Sequence, residues 1–335
     1  MKVPTTVKKS SILKLESVKK YYPIKGGLLK RVQGHVKAVE DVSLEMFEGE
    51  SLGVVGESGC GKSTLGRAVL GLEPVTEGKV IFREQELQHL SERNRLPFKK
   101  QMQMIFQDPY ASLNPRQRIG DALEEVFIMH TKLSSKNRKE KVYELLKEVG
   151  LKEEHYDRYP HEFSGGQRQR IGIARAIALN PSVVICDEAV SALDVSVQAQ
   201  VLKLLKTLQS KYGLTYLFIS HDLGVVRYFC DRVMVMYLGN TAELASAKQL
   251  YENPLHPYTK ALLSAIPRPS IERNRKRIRL VGEIPNPANP PSGCTFHTRC
   301  PIATEICKQK KPVWRDMGDQ HYVACHHVEK GSERL

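Results

Sequence analysis

Short, unbroken apolar runs alternate with glycine turns and helical repeats through the first two-thirds of the chain. ESLGVVG at 50–56 reads as a buried strand entering a glycine loop, and PSVVICDE at 181–188 as a second strand ending on two carboxylates. TYLFISH at 215–221 and DRVMVMY at 231–237 repeat the pattern. Runs of about 4–8 apolar, β-branched residues bounded by turn residues suit strands buried on both faces. Between the second and third runs, Val197, Val201, Leu204, Leu205 and Leu208 recur at helical spacing, with Asp194 where an N-cap belongs. Strands alternating with helices predict an α/β fold.

Residues 108–180 break this rhythm. Stretches such as KNRKEKVYELLKEVGL are rich in Lys, Glu and Leu and read as a helical subdomain inserted in the strand–helix series. Near residue 245 the composition shifts again. NPLHPYTKALLSAIPRP and EIPNPANPPSGC are dense in proline, which favours irregular backbone over packed regular structure. The expected division is therefore residues 1–245 and 246–335, and the second part needs a staple to be ordered.

Composition adds boundaries. The chain has 335 residues, 41% hydrophobic and 26% charged, and a net charge of +14. No apolar run reaches the roughly 18 residues that a membrane-spanning helix needs, and MKVPTTVKKS lacks the apolar centre of a secretory signal. The expectation is a chain that stays in the cytosol unless a partner holds it at a membrane. The densest basic run, RNRKRIR at 273–279, has no interleaved aromatics for stacking on bases, so nucleic acid is not an expected partner.

Gly56-Glu57-Ser58-Gly59-Cys60-Gly61-Lys62-Ser63-Thr64 matches GxxxxGK[ST], between a strand and a helix. Such a loop turns backbone N–H groups toward phosphate oxygens, its lysine neutralises β- and γ-phosphate charge, and its serine hydroxyl holds Mg²⁺. Asp187 and Glu188 end an apolar strand, which suits Asp187 to Mg²⁺ and Glu188 to general-base work on a water. His221, at the end of the next strand, is expected to contact the γ-phosphate and orient Glu188. Gln107 could reach Mg²⁺ or the attacking water. Tyr22, beside Tyr21, is a candidate for stacking on adenine.

Ser164-Gly165-Gly166-Gln167 opens another helix and offers a second phosphate-binding surface in one chain. The simplest use of it is a head-to-tail dimer, in which this segment covers the other chain's ATP and SALD (191–194), with Asp194, lies at the seam. Seven cysteines argue against a disulfide framework. Four of them, Cys294, Cys300, Cys307 and Cys325, cluster late in the chain with spacings that are not those of a zinc ribbon; four thiolates suit either Zn²⁺ or an iron–sulfur cluster, and His297, His321, His326 or His327 could replace a sulfur.

In this order, the phosphate loop, Gln107, SGGQ, Asp187-Glu188, SALD and His221 resemble an ABC-transporter ATP-binding subunit. GESGCGKST, MIFQDPYASLNPR, ICDEAVSALDVSVQAQV and NPLHPYTKALLSAIP…PPSGCTFHTRCP resemble, more narrowly, the oligopeptide/dipeptide importer subunits of the F-type. The resemblance implies a RecA-like P-loop core with a helical subdomain and a small Cys- and Pro-rich C-terminal domain. It implies ATP and Mg²⁺, a paralogous ATP-binding partner, two membrane permeases and an extracytoplasmic binding protein. The subunit would then lie at the cytoplasmic side of a cell membrane. It also implies a 4Fe–4S cluster on the four late cysteines, with Zn²⁺ the alternative. Peptide is the expected cargo; nickel or another small solute would use the same architecture, and a soluble ABC-type ATPase acting on nucleic acid is the rival from another class.

Overall fold

The computed structural model describes residues 10–26, 31–108, 110, 112–266 and 278–329. In chain order its elements are β1 (Ser11–Gly26), β2 (Arg31–Phe47), β3 (Ser51–Val55), α1 (Lys62–Val69), β4 (Glu77–Phe82), β5 (Gln85–Glu86), α2 (Glu92–Gln101) and β6 (Met102–Ile105). There follow α3 (Ile119–His130), α4 (Ser135–Glu148), α5 (Gly165–Ile177), β7 (Val183–Asp187), α6 (Val195–Tyr212), β8 (Thr215–Ile219), α7 (Leu223–Phe229) and β9 (Arg232–Tyr237). The C-terminal region adds β10 (Asn240–Ser246), α8 (Ala247–Glu252), α9 (Pro257–Ser264), α10 (Glu305–Gln309), β11 (Arg315–Asp316) and β12 (Tyr322–Val323). Each of the four apolar runs is a strand, and the fold is mixed α/β. The basic run at 273–279 lies mostly outside the described residues.

The chain forms two compact units, each discontinuous in sequence. One comprises Met1–Lys14, Leu44–Glu50 and Val80–Leu217; the other comprises Leu15–Ser43, Ser51–Lys79 and Phe218–Leu335.

In the first unit β6 and β7 run parallel, with Met102 opposite Val183 and Ile105 opposite Cys186. β8 opens beside them, Thr215 N–H donating to the Ser182 carbonyl at 2.9 Å. All residues of β7 are buried, which is why VVIC is continuous rather than alternating. Helices α3, α4 and α5 form the Lys/Glu/Leu-rich part. A buried Glu124 in α3 ties in α4 and the turn that follows it, accepting from Tyr156 Oη at 2.5 Å and from Arg138 Nε at 3.3 Å. Asp194 caps α6 as expected, its carboxylate accepting from Val197 N–H at 3.0 Å. Val201, Leu205 and Leu208 are buried in that helix; Leu202 joins them, while Leu204 is only half-buried.

In the second unit β3 and β9 run parallel, Leu52 opposite Arg232 and Val55 opposite Val235. β10 returns antiparallel on β9, with a bulge between Thr241 and Glu243. The C-terminal region then adds to the same edge: β12 pairs with β10 and β11 with β12, both antiparallel. A buried carboxylate secures the join. Glu243 accepts from the N–H groups of Leu255 and His256 at 2.8 and 2.9 Å, and lies 2.7 Å from His321 Nε2. The staple that the proline-rich region requires is therefore a strand pairing and a hydrogen-bonded carboxylate.

Candidate functional site

The phosphate loop belongs to the second unit. β3 delivers the chain from a fully buried strand into Gly56, and α1 begins at Lys62. Gly61 has φ 102°, and a Cβ there would stand 1.9 Å from the Ala38 carbonyl oxygen, so only glycine fits this approach. Lys62 is buried and its ammonium spans the loop, donating to the carbonyls of Gly56 at 2.8 Å and Glu57 at 3.0 Å. Ser58 and Gly59 are exposed at the loop tip. Cys60 is buried and its thiol is pushed up by burial, so it packs as a small apolar group. Ser63 and Thr64, half-buried, stand in the first turn of α1. Tyr22 lies at this end of the unit: its hydroxyl donates to Glu73 and contacts Thr64, and Lys20 Nζ lies 4.9 Å from its ring centroid. His221 is exposed, two residues past the end of β8, where Asp222 caps α7.

The first unit carries the carboxylates. Asp187 is buried at the end of β7. Glu188 follows with φ 48°, a left-handed conformation that a non-glycine residue adopts rarely and at a cost. Its Oε2 accepts from Gln107 Nε2 at 2.9 Å, which joins two residues that the sequence assigns to one task. Ser191 secures the turn, both its N–H and its hydroxyl donating to the Glu188 carbonyl, at 3.0 and 2.9 Å.

SGGQ and SALD also meet within this unit. A Cβ on Gly166 would stand 2.4 Å from Val197 Cγ1, and one on Gly165 3.8 Å from Leu193 Cδ2, so the start of α5 packs closely on the start of α6. Ser164 and Gln167 form a reciprocal capping box: Gln167 N–H donates to Ser164 Oγ at 3.3 Å, and Ser164 N–H to Gln167 Oε1 at 3.0 Å. S-x-x-Q is the sequence signature of that cap. In this conformation the Gln167 side chain is thus engaged with its own helix.

The late cysteines lie near one another in the C-terminal region. Cys294 N–H donates to the Cys307 carbonyl at 2.8 Å, and Cys307 Sγ lies 3.4 Å from His327 Nε2, so these segments are neighbours. Yet among the described residues no group of three or more His, Cys, Asp or Glu side chains is arranged to hold a metal ion. Burial pushes the Cys294 thiol up to about 11 and also raises Cys300 and Cys325. The 4Fe–4S cluster expected from the resemblance finds no preformed cage here. Ser63 in one unit and Gln107 and Asp187 in the other each carry an oxygen donor, the ligand type that Mg²⁺ takes.

Sequence reading missed two residues that touch the phosphate loop. Tyr258 and Arg299, from the C-terminal region, both bind Glu57. An HPYT stretch and an HTRCP stretch carry them, but nothing in either signals a loop some 200 residues earlier.

Among the described residues no helix is long and apolar enough to cross a membrane. Residues 39–191 match the ABC transporter family, and residues 242–307 match the oligopeptide/dipeptide transporter C-terminal region. The oligopeptide transport ATP-binding protein AppF of Bacillus subtilis is 55% identical, over 96% of this chain and 99% of its own. The dipeptide transport ATP-binding protein DppF of Escherichia coli is 51% identical, over 95% of each chain. Among solved structures, the dimeric post-hydrolysis state of the ATP-binding cassette MJ0796, bound to ADP and Pi, superposes with a TM-score of 0.63 at 29% identity. It covers 70% of this chain and 99% of that one. CbiO1 from Clostridium perfringens, part of the ABC transporter complex cbiONQ, gives a TM-score of 0.63 at 25% identity, over 73% and 92%. The chain belongs to the ABC transporter family, as an ATP-binding subunit of its oligopeptide/dipeptide importer branch.

Proposed function

We propose that this protein hydrolyses ATP to energise a membrane importer of di- and oligopeptides. The observation that carries the catalytic part is Glu188, at the end of buried β7 and hydrogen-bonded by Gln107. Similarity at 50–55% identity to peptide transport ATP-binding proteins, along nearly the whole chain, supports the cargo class.

In this reading the loop Gly56–Thr64 binds the phosphates through backbone N–H groups and Lys62, and Tyr22 stacks on adenine. Ser63, Gln107 and Asp187 hold Mg²⁺, which when bound supplies charge neutralisation at the phosphates. Glu188 takes a proton from the attacking water as general base, and His221 orients that water and contacts the γ-phosphate. Ser164, Gly165, Gly166 and Gln167 serve the ATP of a partner subunit, a paralogue, with Asp194 at the seam. Partner permeases respond through the region 108–115, and an extracytoplasmic binding protein supplies the cargo. The subunit then works at the cytoplasmic face of a cell membrane. Residues 1–245 form the ATPase part and 246–335 the C-terminal domain.

Glu188→Gln tests the assignment. It should leave ATP binding intact and slow turnover by about 10²-fold or more, the lower end of general-base contributions. Unchanged turnover in a phosphate-release assay would refute the role of Glu188.

For the cysteines we propose only that the four thiols gather a soft metal or cluster when one is supplied. Visible absorption and iron content after anaerobic purification would indicate 4Fe–4S. A colourless protein with stoichiometric zinc would assign Zn²⁺, and a metal-free, colourless protein would dismiss both.

A further inference from the structure

The phosphate loop contains a charge that opposes its ligand. Its second residue is Glu57, in a loop that receives polyanionic phosphate. The structure answers that charge from the C-terminal region. Arg299 Nη1 and Nη2 donate to Glu57 Oε2 and Oε1 at 2.7 and 3.1 Å, a two-pronged arrangement in which both carboxylate oxygens are engaged. The Arg299 side chain is only 7% exposed, and its guanidinium lies 5.9 Å from the Tyr237 ring centroid.

The backbone of the same residue is held as well. Glu57 N–H donates to Tyr258 Oη at 2.9 Å. Tyr258 is fully buried, its ring packed edge-on against Tyr237 and tilted against Phe296. The Glu57 carbonyl then accepts from Lys62 Nζ at 3.0 Å and from Cys60 N–H at 3.3 Å. A chain of contacts therefore runs from Arg299 and Tyr258, through one residue, to the lysine of the loop.

We propose that Arg299 and Tyr258 are positioning residues for ATP binding: Arg299 neutralises Glu57, and the two together hold the phosphate loop in its receiving conformation. The C-terminal region is then a working part of the nucleotide site, in cis. This rests on the ATPase reading above. Arg299 acts through Glu57, so its loss should weaken ATP binding more than it slows the chemical step.

The test uses the full chain together with its partner ATP-binding subunit and reads KM, kcat and melting temperature. Arg299→Met leaves Glu57 unpaired and should raise KM for ATP about tenfold, equivalent to about 1.4 kcal/mol, with kcat changed by less than about twofold. Adding Glu57→Gln removes the opposing charge, and the double variant should recover KM to within about threefold of the wild type. A double variant as impaired as Arg299→Met would mean that the pair only docks the C-terminal region, and the proposal would fall. An unchanged KM in Arg299→Met would overturn it equally. If Arg299→Met does not fold, Arg299→Lys and Tyr258→Phe serve instead, each expected to raise KM about threefold at unchanged melting temperature. Unchanged KM in both would overturn the proposal. Absence of saturable ATP binding by the wild type would overturn the ATPase reading along with it.

Discussion

Burial sets the state of single residues here more than sequence neighbours do. His256 is 3% exposed, and burial holds its imidazole down at about 4. Its Nδ1 accepts from Tyr258 N–H at 3.0 Å, so the neutral ring caps α9. Because the folded value lies below that of the unfolded chain, near 6.5, the unfolded state binds the extra proton between these limits. The stabilisation is complete above about pH 6.5 and is lost as pH falls toward about 4, amounting to about 3 kcal/mol. His256→Asn keeps a capping side chain and removes the titration. In urea unfolding at pH 7 and pH 5, the variant should lose less stability on acidification than the wild type. Equal losses would contradict the burial argument. The histidine is plain in the sequence; its depressed titration follows only from the packing around it.

At the scale of elements, the close approach of α5 to α6 leaves no room for a side chain at Gly166. Gly166→Ala places a methyl group 2.4 Å from Val197 Cγ1, on a stiff β-branched side chain that cannot swing aside. The start of α5 must move, at a cost of about 1–3 kcal/mol as for other overpacked sites. Since that start carries Ser164–Gln167, ATPase activity of the assembled pair should fall about tenfold while ATP binding to Lys62 is retained. Full activity at full stability would show that the spacing is unimportant. Strands β3, β7, β8 and β9 were readable as apolar runs because parallel strands are covered on both faces. The cap on α6 was readable from Asp194. The capping box of Ser164 and Gln167 was equally present in the sequence, but the glycines between them drew the reading to phosphate instead.

For the whole molecule, a phosphate loop in one unit and a SGGQ segment in the other make concentration the informative variable. If the catalytic state is a pair of ATP-binding subunits, specific activity should fall on dilution of this chain and recover when a paralogous subunit is added. Activity per molecule that is independent of dilution, without a partner, would sink the shared-site reading.

From the sequence alone came the α/β fold, the phosphate loop, the carboxylate pair, the SGGQ and SALD segments and the importer family. Each is a local pattern, a period or a fixed spacing, that short-range chemistry dictates. The tertiary structure decided the rest. It paired Gln107 with Glu188 across 81 positions, joined the starts of α5 and α6, and stapled the proline-rich region by β12 and Glu243. It left the late cysteines without a metal-holding cage among the described residues, and it set Arg299 on Glu57 across 242 positions. Contacts at such separations depend on how the strands pair and where the chain returns, which no local pattern encodes.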